Sequence, residues 1–193
     1  WVHQFNTLSR VETTPIVIDG LMIITESPSN VIALDAVTGR PFWTYEHPIP
    51  EEIRVCCGEN NRGVAVLGDM VYLGTVNGHL LALDIATGNV IWDVQVERPE
   101  AGYSITSAPL VIENKVITGM AGGEYGVRGF LDAYDVTTGE RLWRFYTIPG
   151  PGEPGNETWS GNSWRTGGAP TWVTGSYDPE LNLIYWGTGN PAP

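Results

Sequence analysis

The chain of 193 residues is 42% hydrophobic and carries 24 glycines, 14 prolines and eight tryptophans, a glycine-rich globular composition and not a disordered one. Acidic residues outnumber basic ones 22 to 10, for a formal charge of −12. Such a surface repels phosphate backbones, so nucleic acid is excluded as the expected partner, and cations are favoured. No run approaches the ~18 uninterrupted apolar residues of a membrane helix. The opening "WVHQFNTLSR" has neither a basic n-region nor an apolar h-region, so no signal peptide is read there and a mature or truncated export product stays open.

In chain order, the first apolar run is "TPIVIDGLMIIT" (14–25), two β-branched stretches folded around a D-G turn. A second hairpin follows, from "NVIALDAV" through a T-G turn into "RPFWTYE". The same order returns in "GVAVLGDMVYLGT" (63–75) with "ALDIATGNVIW" (82–92), and in "SAPLVIENKVITG" (107–119) with "AYDVTTGERLW" (133–143). The shared pattern A-x-D-x-x-T-G-x-x-x-W places tryptophans at 43, 92 and 143, a period of about 50 that marks a stacked repeat. Its aspartate and threonine are expected to bond their own turn, and its tryptophan to wedge between units. Almost nothing reads as helix.

After a long insert, "IPGPGEPGNETWSGNSWRTGG" (148–168), a fourth unit begins with "APTWVTGSYDPELNLIYWGTGN" (169–190). The expected fold is therefore all-β, a propeller of four-stranded antiparallel blades. The blades span roughly 10–50, 54–97, 104–147 and an incomplete 168–193, within one partial propeller over 1–193. That makes about three and a half blades of a larger ring.

In such a fold the first strand of each blade lines the channel, and its start lies at the same end as the exit of the second strand. Glu12, Arg62 and Thr106 precede first strands, and Trp172 is expected within the fourth. The second strand of unit three exits into "GMAGGEYGVRG" (119–129) and that of unit four into "GTGN", ending at Asn190. These residues are thus expected to converge on one mouth. Glu124 and Asn190 there offer the hard oxygens that calcium takes. Arg62 offers a fork for carboxylate or quinone oxygens, and Trp172 a plane for a flat ring. The two cysteines, Cys56 and Cys57, are adjacent, too few for a disulfide scaffold and without zinc-site spacing. Neighbours on an extended strand face opposite ways.

The stretches "CCGENNRG", "AGGEYGVRGFLDAYD", "GGAPTWVTGSYDP" and "LNLIYWGTGNPAP", with the three tryptophan motifs, resemble the pyrroloquinoline-quinone (PQQ)-dependent alcohol dehydrogenases from about Gln4 onward. The resemblance implies an eight-bladed ring and a disulfide between Cys56 and Cys57 lying against one face of PQQ, with Trp172 as the floor on the other. It makes Glu12, Arg62 and Thr106 polar contacts to PQQ, with Ala121, Gly122 and Gly123 as a backbone wall. Glu124 and Asn190 would hold a calcium or lanthanide ion. The implied reaction oxidises a primary alcohol to an aldehyde by hydride transfer to metal-bound PQQ, with electrons passed to a cytochrome c. The compartment would be the periplasm, and a homodimer is left open. The family's catalytic aspartate is expected downstream of Pro193, so no catalytic base is assigned within 1–193. The alternative is a non-enzymatic periplasmic propeller scaffold of the outer-membrane assembly type, which needs neither the adjacent cysteines nor the glutamate loop.

Overall fold

Asp19 and Gly20 both take positive φ, 47° and 81°. That is the backbone of a two-residue type I′ hairpin turn, and it folds β1 (Ile16–Ile18) onto β2 (Leu21–Glu26). The computed structural model describes residues 1–53 and 55–192. The expected blade limits at 54 and 193 lie outside the described residues. β3 (Asn30–Asp35) and β4 (Pro41–Tyr45) complete a first antiparallel sheet in the order β1-β2-β3-β4. The second sheet is β5 (Ala65–Leu67), β6 (Met70–Gly74), β7 (His79–Asp84) and β8 (Val90–Gln95), again in sequence order. The third repeats it with β9 (Leu110–Ile112), β10 (Lys115–Gly119), β11 (Phe130–Asp135) and β12 (Arg141–Tyr146). A two-stranded sheet follows, β13 (Ser176–Asp178) and β14 (Leu183–Tyr185). Helical structure among the described residues is confined to short 3-10 turns, and no helix there is long and apolar enough to cross a membrane.

The repeat motif builds the same turn three times. The Asp35 carboxylate accepts from the amides of Val37 and Thr38 at 2.9 and 2.7 Å. Asp84 accepts from the amide and hydroxyl of Thr87, and Asp135 from the amides of Thr137 and Thr138. These charge-assisted bonds hold all three carboxyls below their ordinary value of 3.8.

The motif tryptophans of the first and second sheets dock on the turn of the next sheet. Trp43 Nε1 donates to Ile85 O at 2.9 Å and Trp92 Nε1 to Val136 O at 3.0 Å, with the rings lying over Gly88 and Gly139. Side chains at those glycines would occupy the space of the indoles. Trp1 makes the equivalent bond to Ala36 O over Gly39, a docking contact that the three aligned motifs did not reveal.

The core is divided between the sheets. Ile23 and Val31 of the first pack on Val71, Leu73, Leu81 and Leu83 of the second. Tyr72, Leu80 and Trp92 of the second pack on Val116, Phe130 and Tyr134 of the third. Ile112, Ile117 and Ala133 of the third meet Tyr177, Ile184 and Trp186 of the two-stranded unit. Each buried side chain of this kind contributes about 1.5–3 kcal/mol, so every sheet owes its stability to its neighbour. This is the stacked, wedge-joined arrangement of a β-propeller.

One placement differs from expectation. Trp172 lies in an extended segment ahead of β13, not inside it. The segment is drawn away from the two-stranded sheet because Thr171 N donates to Met120 O at 2.8 Å, just past β10, and Thr171 Oγ1 to Phe130 O at 2.6 Å, at the start of β11. Pro170, which has no N–H, cannot extend a ladder.

Candidate functional site

The starts of β5 and β9 and the exits of β10 and β14 face the same end of the sheets, and a cleft of about 990 Å³ opens there. Arg62 is its organising charge. Its Nη2 meets the Glu12 carboxylate at 2.7 Å and its Nη1 donates to Thr106 O at 3.2 Å. Its guanidinium carbon stands 5.1 Å from the Trp172 ring centroid. Backbone bonds from Arg62 N to Thr106 O and from Thr14 N to Arg62 O tie the leads into the first three sheets together. Thr106 Oγ1 in turn donates to Trp172 O at 3.4 Å. Trp172 keeps 42% of its surface exposed, which leaves an indole face open to the cleft.

Cys56 and Cys57 line the cleft as well. Cys57 has φ of 66°, a left-handed conformation that costs a residue with a side chain about 1–2 kcal/mol. Asn60 sustains it. Its side chain is nearly buried and its Nδ2 donates to Cys57 O at 3.0 Å. The expected disulfide is not formed in this structure, where both cysteines are free. Their thiols interact, and the Cys56 thiol is pushed up to about 12 by its hydrogen bond to Cys57, then by burial and by the nearby Glu124 carboxylate.

The glutamate loop needs its glycines. Gly122 has φ of 113°, and a Cβ there would collide with the Gly102 carbonyl. A Cβ on Gly123 would sit 2.8 Å from Pro170 Cγ. This close approach lets the 3-10 turn Gly123–Tyr125 present Glu124 to the cleft. Ala121 N donates to Ser104 O at 2.8 Å, which fixes the lead into that turn. On the opposite side the Asn190 carbonyl accepts from Ala169 N at 2.9 Å, and Gly189 N donates to Pro170 O at 2.7 Å. Asn190 itself lines the same cleft.

All eleven residues picked out from the sequence therefore border one cavity. Arg10, Asn60, Pro170 and Thr188 also border it and were missed. Asn60 carried a signal, an asparagine three residues beyond the cysteine pair and able to bond a local backbone group. Among the described residues no three His, Cys, Asp or Glu side chains cluster in a metal-binding arrangement. Glu124 and Asn190 nevertheless supply one anionic and one neutral oxygen to the same cleft, which suits a hard cation. The exposed indole, the Arg62 fork and the close-packed glycine wall suit a flat, oxygen-rich ring. A cleft of this size holds such a ring and an ion together.

A family profile described as the PQQ glucose/ethanol/alcohol dehydrogenase β-propeller domain matches residues 3–193. The chain belongs to this family. It is 44% identical over 198 residues to the quinoprotein alcohol dehydrogenase PedH of Pseudomonas putida, covering 94% of this chain and 33% of that protein. The crystal structure of the quinohemoprotein alcohol dehydrogenase from Comamonas testosteroni superposes with a TM-score of 0.84 at 41% identity, over 95% of this chain and 30% of the other. A europium-containing methanol dehydrogenase superposes at 0.85 with 34% identity, over 97% of this chain and 37% of the other. The chain thus spans about a third of the length of the relatives it matches.

Proposed function

We propose that this chain is the cofactor-gripping part of a quinoprotein alcohol dehydrogenase that oxidises a primary alcohol to an aldehyde. The observation that carries the reading is the convergence of Trp172, Arg62, Glu12, Glu124 and Asn190, from four separate sheets, on one cleft. The family match favours it over the non-enzymatic scaffold, which has no use for such a cleft.

When bound, PQQ supplies a two-electron acceptor, and a calcium or lanthanide ion polarises its quinone carbonyl. The residues of this chain bind and orient. Trp172 would support one ring face, and the Cys56–Cys57 turn, oxidised in the periplasm to a disulfide, would cover the other. Arg62 is held by Glu12 so that its fork reaches ring oxygens without searching rotamers. Thr106 and the Ala121–Gly123 backbone offer polar contacts at the rim. Glu124 and Asn190 hold the cation. With PQQ and the ion held there, the chemistry supplied would be two-electron oxidation of a primary alcohol to an aldehyde, the hydride going to PQQ and the proton to a base not assigned within residues 1–193, with a cytochrome c as the electron acceptor.

Addition of PQQ with calcium or a lanthanide to the full-length protein tests the reading. A bound-quinone absorption spectrum and quenching of tryptophan fluorescence are expected, the quenching smaller in Trp172→Leu. Glu124→Ala abolishes metal-dependent PQQ binding, because a hard cation loses its anionic ligand, and Asn190→Ala weakens it less. Equal metal affinity in both variants and the parent would remove these residues from the site.

A further inference from the structure

The insert 148–168 has no part in the reading above, yet it is firmly anchored. Arg128, in the same loop as Glu124, sends Nε and Nη2 to Ile148 O at 2.9 and 2.6 Å. Its guanidinium lies between two rings, 3.8 Å from the Tyr146 centroid and 4.8 Å from that of Trp164. Only 14% of the side chain is exposed. The Tyr103 hydroxyl accepts from Arg128 N at 3.2 Å, fixing the backbone as well. Inside the insert, Asn156 Nδ2 donates to Pro149 O at 2.9 Å.

The end of the insert joins two loops. On one side Gly168 pairs with Arg128, its N–H donating to Val127 O at 2.9 Å and its carbonyl accepting from Gly129 N at 2.8 Å. On the other side it pairs with Pro191, flanked by Ala169 N to Asn190 O at 2.9 Å and Ala192 N to Gly167 O at 2.8 Å. Gly168 has φ of 73°, and a Cβ there would stand 2.9 Å from Ala192 Cβ and from Asn190 O.

We propose that the 148–168 insert is a strut that sets the separation of Glu124 and Asn190, with Arg128 as its clamp and Gly168 as its joint. Arg128 is a positioning residue here, since it acts through the loop that carries Glu124. The proposal rests on the reading of Glu124 and Asn190 as cation ligands. The separation of the two oxygens decides whether both reach one ion at the roughly 2.3–2.6 Å of calcium–oxygen contacts, and groups that orient ligands change metal affinity about 10–100-fold when removed.

The test uses metal-free full-length protein titrated with terbium ion alone. Arg128→Lys keeps the charge and loses the fork, and Gly168→Ala perturbs the joint independently. Each is expected to raise the terbium Kd about tenfold. Each should also add about one water to the bound ion, as counted from luminescence lifetimes in H2O and D2O, because one protein oxygen is lost from the ion. The thermal midpoint of the metal-free protein should stay close to the parent's. Glu140→Gln, an exposed charge on the turn between β11 and β12 and outside the insert, should leave Kd and water count unchanged. Parent-like Kd and water count in both variants, with binding lost in Glu124→Ala, would overturn the strut and leave the metal site standing. Lower affinity that follows a fall in thermal midpoint, with an unchanged water count, would also overturn it. Terbium binding unchanged in Glu124→Ala would overturn the metal site and the strut together.

Discussion

Cys57 is held in a left-handed conformation that glycine adopts without cost, and Asn60 holds it there through the Cys57 carbonyl. The result is a turn that brings two adjacent thiols together, which an extended strand would keep apart. Two outcomes follow for this pair in the full-length protein. Purified without reductant, it should be lighter by two hydrogens than after reduction, by intact mass. Once reduced, Cys56 should alkylate slowly near pH 8, because its raised pKa keeps it protonated and the thiolate is the nucleophile. Glu124→Gln removes one of the charges that raise the pKa, so it should speed the reaction at fixed pH. Free-thiol labelling of both cysteines in the unreduced native protein would refute the bond, and parent-like kinetics in Glu124→Gln would refute the electrostatic coupling.

The hairpin turns of the repeat set the pH dependence of the sheets. The Asp84 carboxyl is lowered below 3.8 by Thr87, whose hydroxyl and amide both donate to it. A group whose folded pKa is depressed stabilises the fold above its unfolded value and loses that contribution as pH falls through the folded one. Asp84→Asn should therefore lower stability at neutral pH and flatten its dependence on pH below about 4, as measured by denaturant unfolding across that range. An unchanged acid limb would refute the turn's role. The wedges are the other element-scale device. Trp92→Phe removes the bond to Val136 O, but Tyr72 OH still donates to that carbonyl at 3.2 Å. A loss of about 1 kcal/mol is expected. Trp92→Ala also empties the space over Gly139 and should cost about 3–5 kcal/mol. Similar losses in the two variants would mean that the ring's packing is minor.

At the scale of the molecule, each sheet covers its neighbour, and the last unit breaks the series. Leu131, Trp143, Phe145, Ile184 and Trp186 border an apolar groove of about 460 Å³ beside the two-stranded sheet, and Phe145 is 62% exposed. Exposed apolar surface of that kind drives association, and unpaired strand edges add to it. The 193-residue polypeptide on its own should self-associate in sedimentation velocity and bind a hydrophobic dye. It should also be inactive with alcohols in the presence of PQQ and metal. A monodisperse monomer that turns over an alcohol would show that the catalytic base lies within residues 1–193.

The repeat was legible in the sequence because its physics is local. Asp, Thr-Gly and Trp sit in the same turn and strand each time, and the aspartate's bonds are to its own turn. The period of about 50 thus led directly to stacked four-stranded sheets. Glu12, Arg62, Thr106, Glu124, Trp172 and Asn190 were legible because they lie at equivalent strand ends, whereas the roles of Cys56, Cys57 and Ala121 to Gly123 came from the family resemblance. Other features depend on partners distant in sequence. The docking of Trp1 needed Ala36, and the displacement of Trp172 from β13 needed Met120 and Phe130. The joint at Gly168 needed Arg128 on one side and Pro191 on the other. An insert with no strand periodicity reads as a loop in sequence. Only its hydrogen bonds to two separate loops, formed once the third sheet and the two-stranded unit are packed together, show that it spans between them.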